Sequence, residues 1–144
     1  MYGQVATRTH RIEAEDVGLA LVSFEGGAFG SMLASTSIQP GFPAALNLYG
    51  EKGTVKCEGA EITHWSVPGV AKPEPEGIPG GGGGVRDPRA ITHLYHRMQI
   101  ENVLEAIGRG GPAAVTGEDG LRAVELVESI YRSSETGRPV ELGP

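Results

Sequence analysis

The strand-like runs in the first half of this chain are apolar on both sides, and that limits what it can fold into. In Glu15 to Phe24, successive side chains point to opposite faces of a sheet. Val17, Leu19 and Leu21 form one row, while Ala20, Val22 and Phe24 form the other. The returning run from Ala28 to Ser37 repeats this, with Phe29 and Leu33 on one side and Ala28, Met32 and Ala34 on the other. A sheet with one solvated face alternates apolar with polar instead. Only two helical segments follow, and they can cover one face. A bare second face would exceed the few hundred Å² of contiguous apolar surface that monomers tolerate. It is therefore expected to meet a second copy of the chain or a domain outside it, unless a long loop folds back over it.

The remaining elements follow from spacing and turn chemistry. Glu25-Gly26-Gly27 joins the two runs above as a hairpin. Ala44 to Tyr49, Gly50-Glu51-Lys52-Gly53 and Thr54 to Glu58 read as a second hairpin with one wet face, followed by a strand from Glu61 to Trp65. Tyr2 to Arg11 alternates weakly and suits an edge strand. A Pro/Gly-rich loop spans about 66–91 and contains the run Gly80 to Gly84. Ile100, Val103, Leu104 and Ile107 mark one stripe of a helix starting near Thr92 and ending by Gly108 or Gly110. Thr116-Gly117-Glu118-Asp119 reads as an N-cap with acids in the first turn. Ala123, Val127, Ile130 and Tyr131 continue that second helix, Gly137 stops it, and Val140 to Leu142 could add a short strand. Strands first and helices last predict an α+β fold: an open, mostly antiparallel sheet with two C-terminal helices packed on one face, residues 1–144 forming one domain.

Composition narrows the function classes. Twelve Lys and Arg against eighteen Asp and Glu give a net charge of −6, which argues against nucleic acid and anionic membranes as partners. The polar N-terminal stretch lacks a signal peptide's apolar core, and a cytoplasmic location is the default expectation. One cysteine, Cys57, excludes an internal disulfide and a cysteine zinc cluster. The glycine run fails the dinucleotide pattern, since position 85 is Val, and no Walker Lys-Ser or Lys-Thr follows it. His93 and His96 share a helix face but lack a third metal ligand. His96 could contact a polar substrate or cap the helix. His10 and His64 stand alone on strand-like runs and read as structural or surface residues. No complete catalytic set emerges, and the residues alone read as a binding or assembly domain.

The order of motifs resembles a known family. Glu13-Ala14-Glu15-Asp16 leads into a strand, and Phe24-Glu25-Gly26-Gly27-Ala28-Phe29-Gly30 is followed by Ser35-Thr36-Ser37 and Pro40-Gly41-Phe42-Pro43. Then come Leu48-Tyr49-Gly50-Glu51-Lys52-Gly53-Thr54-Val55 and His96-Arg97-Met98-Gln99-Ile100. Gly117-Glu118-Asp119-Gly120 opens the last helix, which closes through Ile130-Tyr131-Arg132-Ser133-Ser134 and Thr136-Gly137-Arg138-Pro139-Val140. The series resembles the C-terminal domain of the Gfo/Idh/MocA (glucose–fructose oxidoreductase / inositol dehydrogenase) family over nearly the whole chain. The resemblance implies a parent enzyme that transfers hydride between NAD or NADP and a sugar, inositol or related carbinol. It implies a missing N-terminal Rossmann domain carrying the cofactor site and the catalytic Lys and His, so no cofactor and no catalytic residue are expected in this chain. Glu51-Lys52-Gly53 lies in a hairpin turn and is not that catalytic lysine motif. What remains is substrate positioning, with His96, His93, Arg97 and Gln39 as candidate contacts, and homo-oligomerisation through the open sheet face. A free-standing module for a small polar ligand and a pure dimerisation domain are the alternatives.

Overall fold

The computed structural model describes residues 1–74 and 93–143. In chain order the elements are β1 (Tyr2–Ala6), β2 (Val17–Ser23), β3 (Phe29–Ser35), β4 (Ala45–Gly50), β5 (Gly53–Glu58), β6 (Glu61–Ser66), α1 (Leu94–Arg109) and α2 (Gly117–Thr136). The architecture is α+β, as expected, with the strands in two antiparallel three-stranded sheets, β1-β2-β3 and β4-β5-β6. The chain divides into two compact units, residues 1–38 with 96–144, and residues 39–95.

In the first unit the register sorts the side chains as their alternation implies. Gly3, Ala20 and Met32 stand side by side on one face, and Val5, Gly18 and Ala34 form the neighbouring row. α2 lies on this face against β1 and β2. Ala20 is fully buried. A Cβ on Gly3 would stand 2.9 Å from Ile130 Cγ2 and 3.0 Å from Ile130 Cα, so the close approach of α2 to β1 requires glycine there. β1 is an edge strand, and the edge is managed by two helix serines. The Gly3 N–H donates to Ser133 Oγ at 2.9 Å and the Val5 N–H to Ser134 Oγ at 3.1 Å. Ser133 in turn donates to the Arg138 carbonyl at 2.7 Å and is fully buried.

Capping sets the ends of α2. The Asp119 N–H donates to Thr116 Oγ1 while the Thr116 N–H donates to Asp119 Oδ2, a reciprocal capping box. Gly137 adopts a left-handed φ of 64° and donates its N–H to the Ser133 carbonyl at 2.9 Å. Beyond it, Val140 forms no strand. It pairs instead with the first residue: the Met1 ammonium donates to the Val140 carbonyl at 2.7 Å and the Val140 N–H to the Met1 carbonyl at 2.8 Å. The sequence expectation of a short strand at 140–142 is thereby corrected, because a single reciprocal pair is too short to extend the ladder.

The helical cover of the first sheet comes from α2. No Cα of α1 comes within 8 Å of a Cα in β1–β3. Its predicted stripe is present but open to solvent, with Ile100 60% and Ile107 72% exposed, while Ala106 is buried. Helical periodicity reports which side of a helix is apolar, not what lies against it.

The second unit is a meander with unlike faces. Leu46 stands opposite Cys57 and Leu48 opposite Val55, with Ile62 and Trp65 next along, so one face is apolar. Asn47, Lys56 and His64 line the other face, and Tyr49 stands opposite Thr54 there, with the Lys56 ammonium 5.8 Å from the Tyr49 ring centroid. This is the wet face read from the alternation at 54–58. A register irregularity lies between Lys56 and Cys57. After β6 the chain folds back: Trp65 Nε1 donates to the Val70 carbonyl at 2.9 Å and Lys72 Nζ to the Ile62 carbonyl at 2.8 Å. The rest of the loop expected at 66–91, including its glycine run, lies outside the described residues.

Candidate functional site

Three features of the first unit bear on function. The first is the sheet face opposite α2. Leu19 pairs across from Leu33, Tyr2 from Leu21 and Phe29 from Ser23. Leu21 is 58%, Leu33 68% and Phe29 87% exposed, so an apolar surface stands open across all three strands.

The second is a groove on the α2 side. A cavity of about 390 Å³ opens between the sheet and α2. Gly18, Ala20, Met32 and Ala34 make its floor, and Val127, Ile130 and Tyr131 its wall. At one end Tyr131 Oη donates to Glu15 Oε1 at 2.6 Å. That bond holds the Glu15 carboxyl below its ordinary value and pushes the Tyr131 phenol up, so both shifts favour the same pair of charge states.

The third is the loop between β1 and β2, organised around one carboxylate. Asp16 Oδ1 accepts the Arg8 N–H at 2.7 Å, and Oδ2 accepts the Thr9 N–H at 2.7 Å and the His10 N–H at 2.8 Å. His10 Nδ1 lies 3.2 Å from the same Oδ2. The Asp16 side chain is fully buried, and the donated N–H groups, His10's foremost, hold its carboxyl far below the usual carboxylate range. An ionised carboxylate only accepts, so Nδ1 carries the proton and Nε2 points away from Asp16. The Asp16 backbone is tied as well: its N–H donates to the Ala6 carbonyl, and its carbonyl accepts from Ser35 Oγ and the Thr36 N–H.

The candidate contacts fall elsewhere. His96 and Arg97 sit in the first turn of α1, in the first unit, both exposed. Arg97 Nε donates to Glu101 Oε1 at 2.7 Å, an exposed i,i+4 pair. His93 precedes the helix and Gln39 follows β3 across a cis peptide to Pro40; both are exposed and belong to the second unit. The sequence alone reads His10 as a lone structural or surface residue and assigns no partner to Glu15 or Asp16. Their partners are supplied by the loop and by Tyr131, 116 positions away from Glu15. The Glu13-Ala14-Glu15-Asp16 and Tyr131-Arg132-Ser133-Ser134 segments hold the residues but not their pairing.

A dinucleotide site of the Rossmann kind needs a parallel crossover with a Gly-rich strand-to-helix turn. Among the described residues both sheets are antiparallel, so they do not build such a site.

The sequence profile of the Gfo/Idh/MocA oxidoreductase family's C-terminal alpha/beta domain matches residues 1–142. The chain belongs to this family. Relatives of this C-terminal domain are longer proteins. D-apiose dehydrogenase from Rhizobium rhizogenes is 26% identical over 162 residues, covering 98% of this chain but 44% of its own length. The WlbA dehydrogenase from Bordetella pertussis, solved with NADH and UDP-GlcNAcA, superposes with a TM-score of 0.71 at 28% identity, over 99% of this chain and 38% of that one. The aldose-aldose oxidoreductase from Caulobacter crescentus, solved with glycerol, shares the fold at TM-score 0.71 and 23% identity, over 98% and 40%. The domain thus spans about two fifths of the length of these proteins. No helix among its described residues is long and apolar enough to cross a membrane.

Proposed function

We propose that this chain is the substrate-binding and oligomerisation domain of an NAD(P)-dependent oxidoreductase acting on a sugar, inositol or related carbinol. The observation that carries the reading is the family match over residues 1–142 combined with the open apolar face of Leu19, Leu21, Phe29 and Leu33. The WlbA dehydrogenase that matches this chain is solved with NADH bound. Cofactor binding and proton transfer belong to the Rossmann domain of the parent. This domain's share is to position the substrate and to set subunit geometry. His96, with His93, Arg97 and Gln39, forms the candidate substrate-contacting set, and a second copy of the domain covers the exposed sheet face.

Light scattering after size exclusion tests the assembly role. The wild-type chain should run as a homo-oligomer, and the double substitution Leu21→Lys with Leu33→Lys should release monomer with unchanged circular dichroism. A wild-type monomer at high micromolar concentration sinks this part of the reading. In the two-domain enzyme, His96→Ala should raise KM or lower kcat by about tenfold, the loss of one hydrogen bond to substrate. Unchanged kinetics across candidate sugars would remove His96 from the set.

A further inference from the structure

We propose that the β1–β2 loop is an anion-binding hook that takes the phosphate group of a small ligand on Arg8, His10 and Arg11. Three consecutive backbone N–H groups, those of Arg8, Thr9 and His10, converge on the Asp16 carboxylate. Arg8 and Arg11 are exposed, and the His10 ring, held on Asp16 through Nδ1, stays 42% exposed. The loop is not a slack surface segment. Asp16 is anchored from both sides, to Ala6 in β1 and to Ser35 and Thr36 at the end of β3, and Thr7 Oγ1 closes the loop by donating to the Ala14 carbonyl at 2.7 Å.

The imidazole is oriented by the same carboxylate through Nδ1, leaving Nε2 as the ring position free to meet a ligand. In a protonated ring Nε2 donates to an anion while Nδ1 stays on Asp16. Arg8 and Arg11 form no ion pair among the described residues. Two guanidiniums and an oriented imidazole therefore stand within four residues of sequence, in a chain whose formal charge is −6. Arg forks and imidazolium donors suit the tetrahedral oxygens of a phosphate. Glu15 is engaged by Tyr131, which leaves Glu13 as the acid in this loop that competes for the guanidiniums.

The test is a titration of the ¹⁵N-labelled chain with inorganic phosphate, pyrophosphate and malonate at fixed ionic strength, followed by amide and imidazole resonances. Phosphate and pyrophosphate should produce saturable shifts confined to residues 7–16 and the His10 ring. Arg8→Ala and Arg11→Ala, both surface changes, should each weaken binding about tenfold. Glu13→Gln should tighten it. Asp16→Asn separates a pinned hook from a diffuse field: removing a negative charge would tighten binding by field alone, whereas loosening the loop weakens it. Linear, unsaturating shifts spread over the surface would overturn the proposal. So would arginine variants that bind like wild type, or malonate binding as tightly as pyrophosphate.

Discussion

Ser133→Ala removes one oxygen and strands two backbone groups. Ser133 Oγ accepts from the Gly3 N–H at 2.9 Å and donates to the Arg138 carbonyl at 2.7 Å, in a side chain with no solvent exposure. Leaving a buried N–H without an acceptor costs about 1–3 kcal/mol, and losing the donated bond costs a further ~0.5–1.5 kcal/mol. The alanine methyl nearly fills the same volume, so no cavity adds to the loss. The expected total is about 3 kcal/mol, which at this chain length lowers Tm by roughly 10 °C. Thermal unfolding followed by circular dichroism reads the shift, and amide exchange at Gly3 should accelerate. Ser134→Ala is the control. Its single bond to the Val5 N–H is longer, 3.1 Å, and only partly buried, so about 1 kcal/mol is expected. A Ser133→Ala loss under 0.5 kcal/mol, or one equal to that of Ser134→Ala, would refute the idea that helix serines seal the free edge of β1.

Other substitutions probe the remaining joints. Gly3→Ala should destabilise by about 1–3 kcal/mol in denaturant melts, because its Cβ would press on the backbone of Ile130 as well as its side chain. Gly137→Ala should cost about 1 kcal/mol through backbone strain alone, since its φ is 64° and nothing lies within 4 Å of an added Cβ. Thr116→Ala, which breaks the capping box, should lower stability by about 1 kcal/mol and fray the first turn of α2. Asp16 and Glu15 both have folded-state pKa values below their ordinary 3.8 and 4.5. Their stabilisation is therefore whole above those ordinary values and is lost as pH falls toward the depressed ones. Acid unfolding should flatten at its low-pH limb in Asp16→Asn, and an unchanged limb would show that the carboxylate is not the responding group.

Much of the fold was legible because local rules governed it. The glycine turns at 25–27 and 50–53, the capping sequence at Thr116 and the stop at Gly137 are decided by a few neighbouring residues, and all four appear where local chemistry places them. The alternation in β2 and β3 even assigned the two faces correctly, since Leu19 pairs with Leu33 and Ala20 with Met32. The Asp16 clasp and the Glu15–Tyr131 bond were not legible. An aspartate before a strand gives no sign that three amides will fold back onto it, and a tyrosine in a helix stripe does not announce an acid 116 residues earlier. Residue type and family likeness point to His96, Arg97, His93 and Gln39 but carry no tertiary information, and the structure describes His96 and Arg97 in one unit and His93 and Gln39 in the other.

By itself, then, the chain's pattern of residues determined the strands, the helices, their stops and the apolar character of both sides of the first sheet. These depend on spacings of two to four residues, within which backbone geometry leaves little choice. Only the tertiary structure decided which helix lies on that sheet, why Gly3 and Ser133 stand where they do, and which acid organises the β1–β2 loop. Those outcomes depend on contacts between groups far apart in sequence, whose energies exist only once the backbone has brought them within hydrogen-bonding reach.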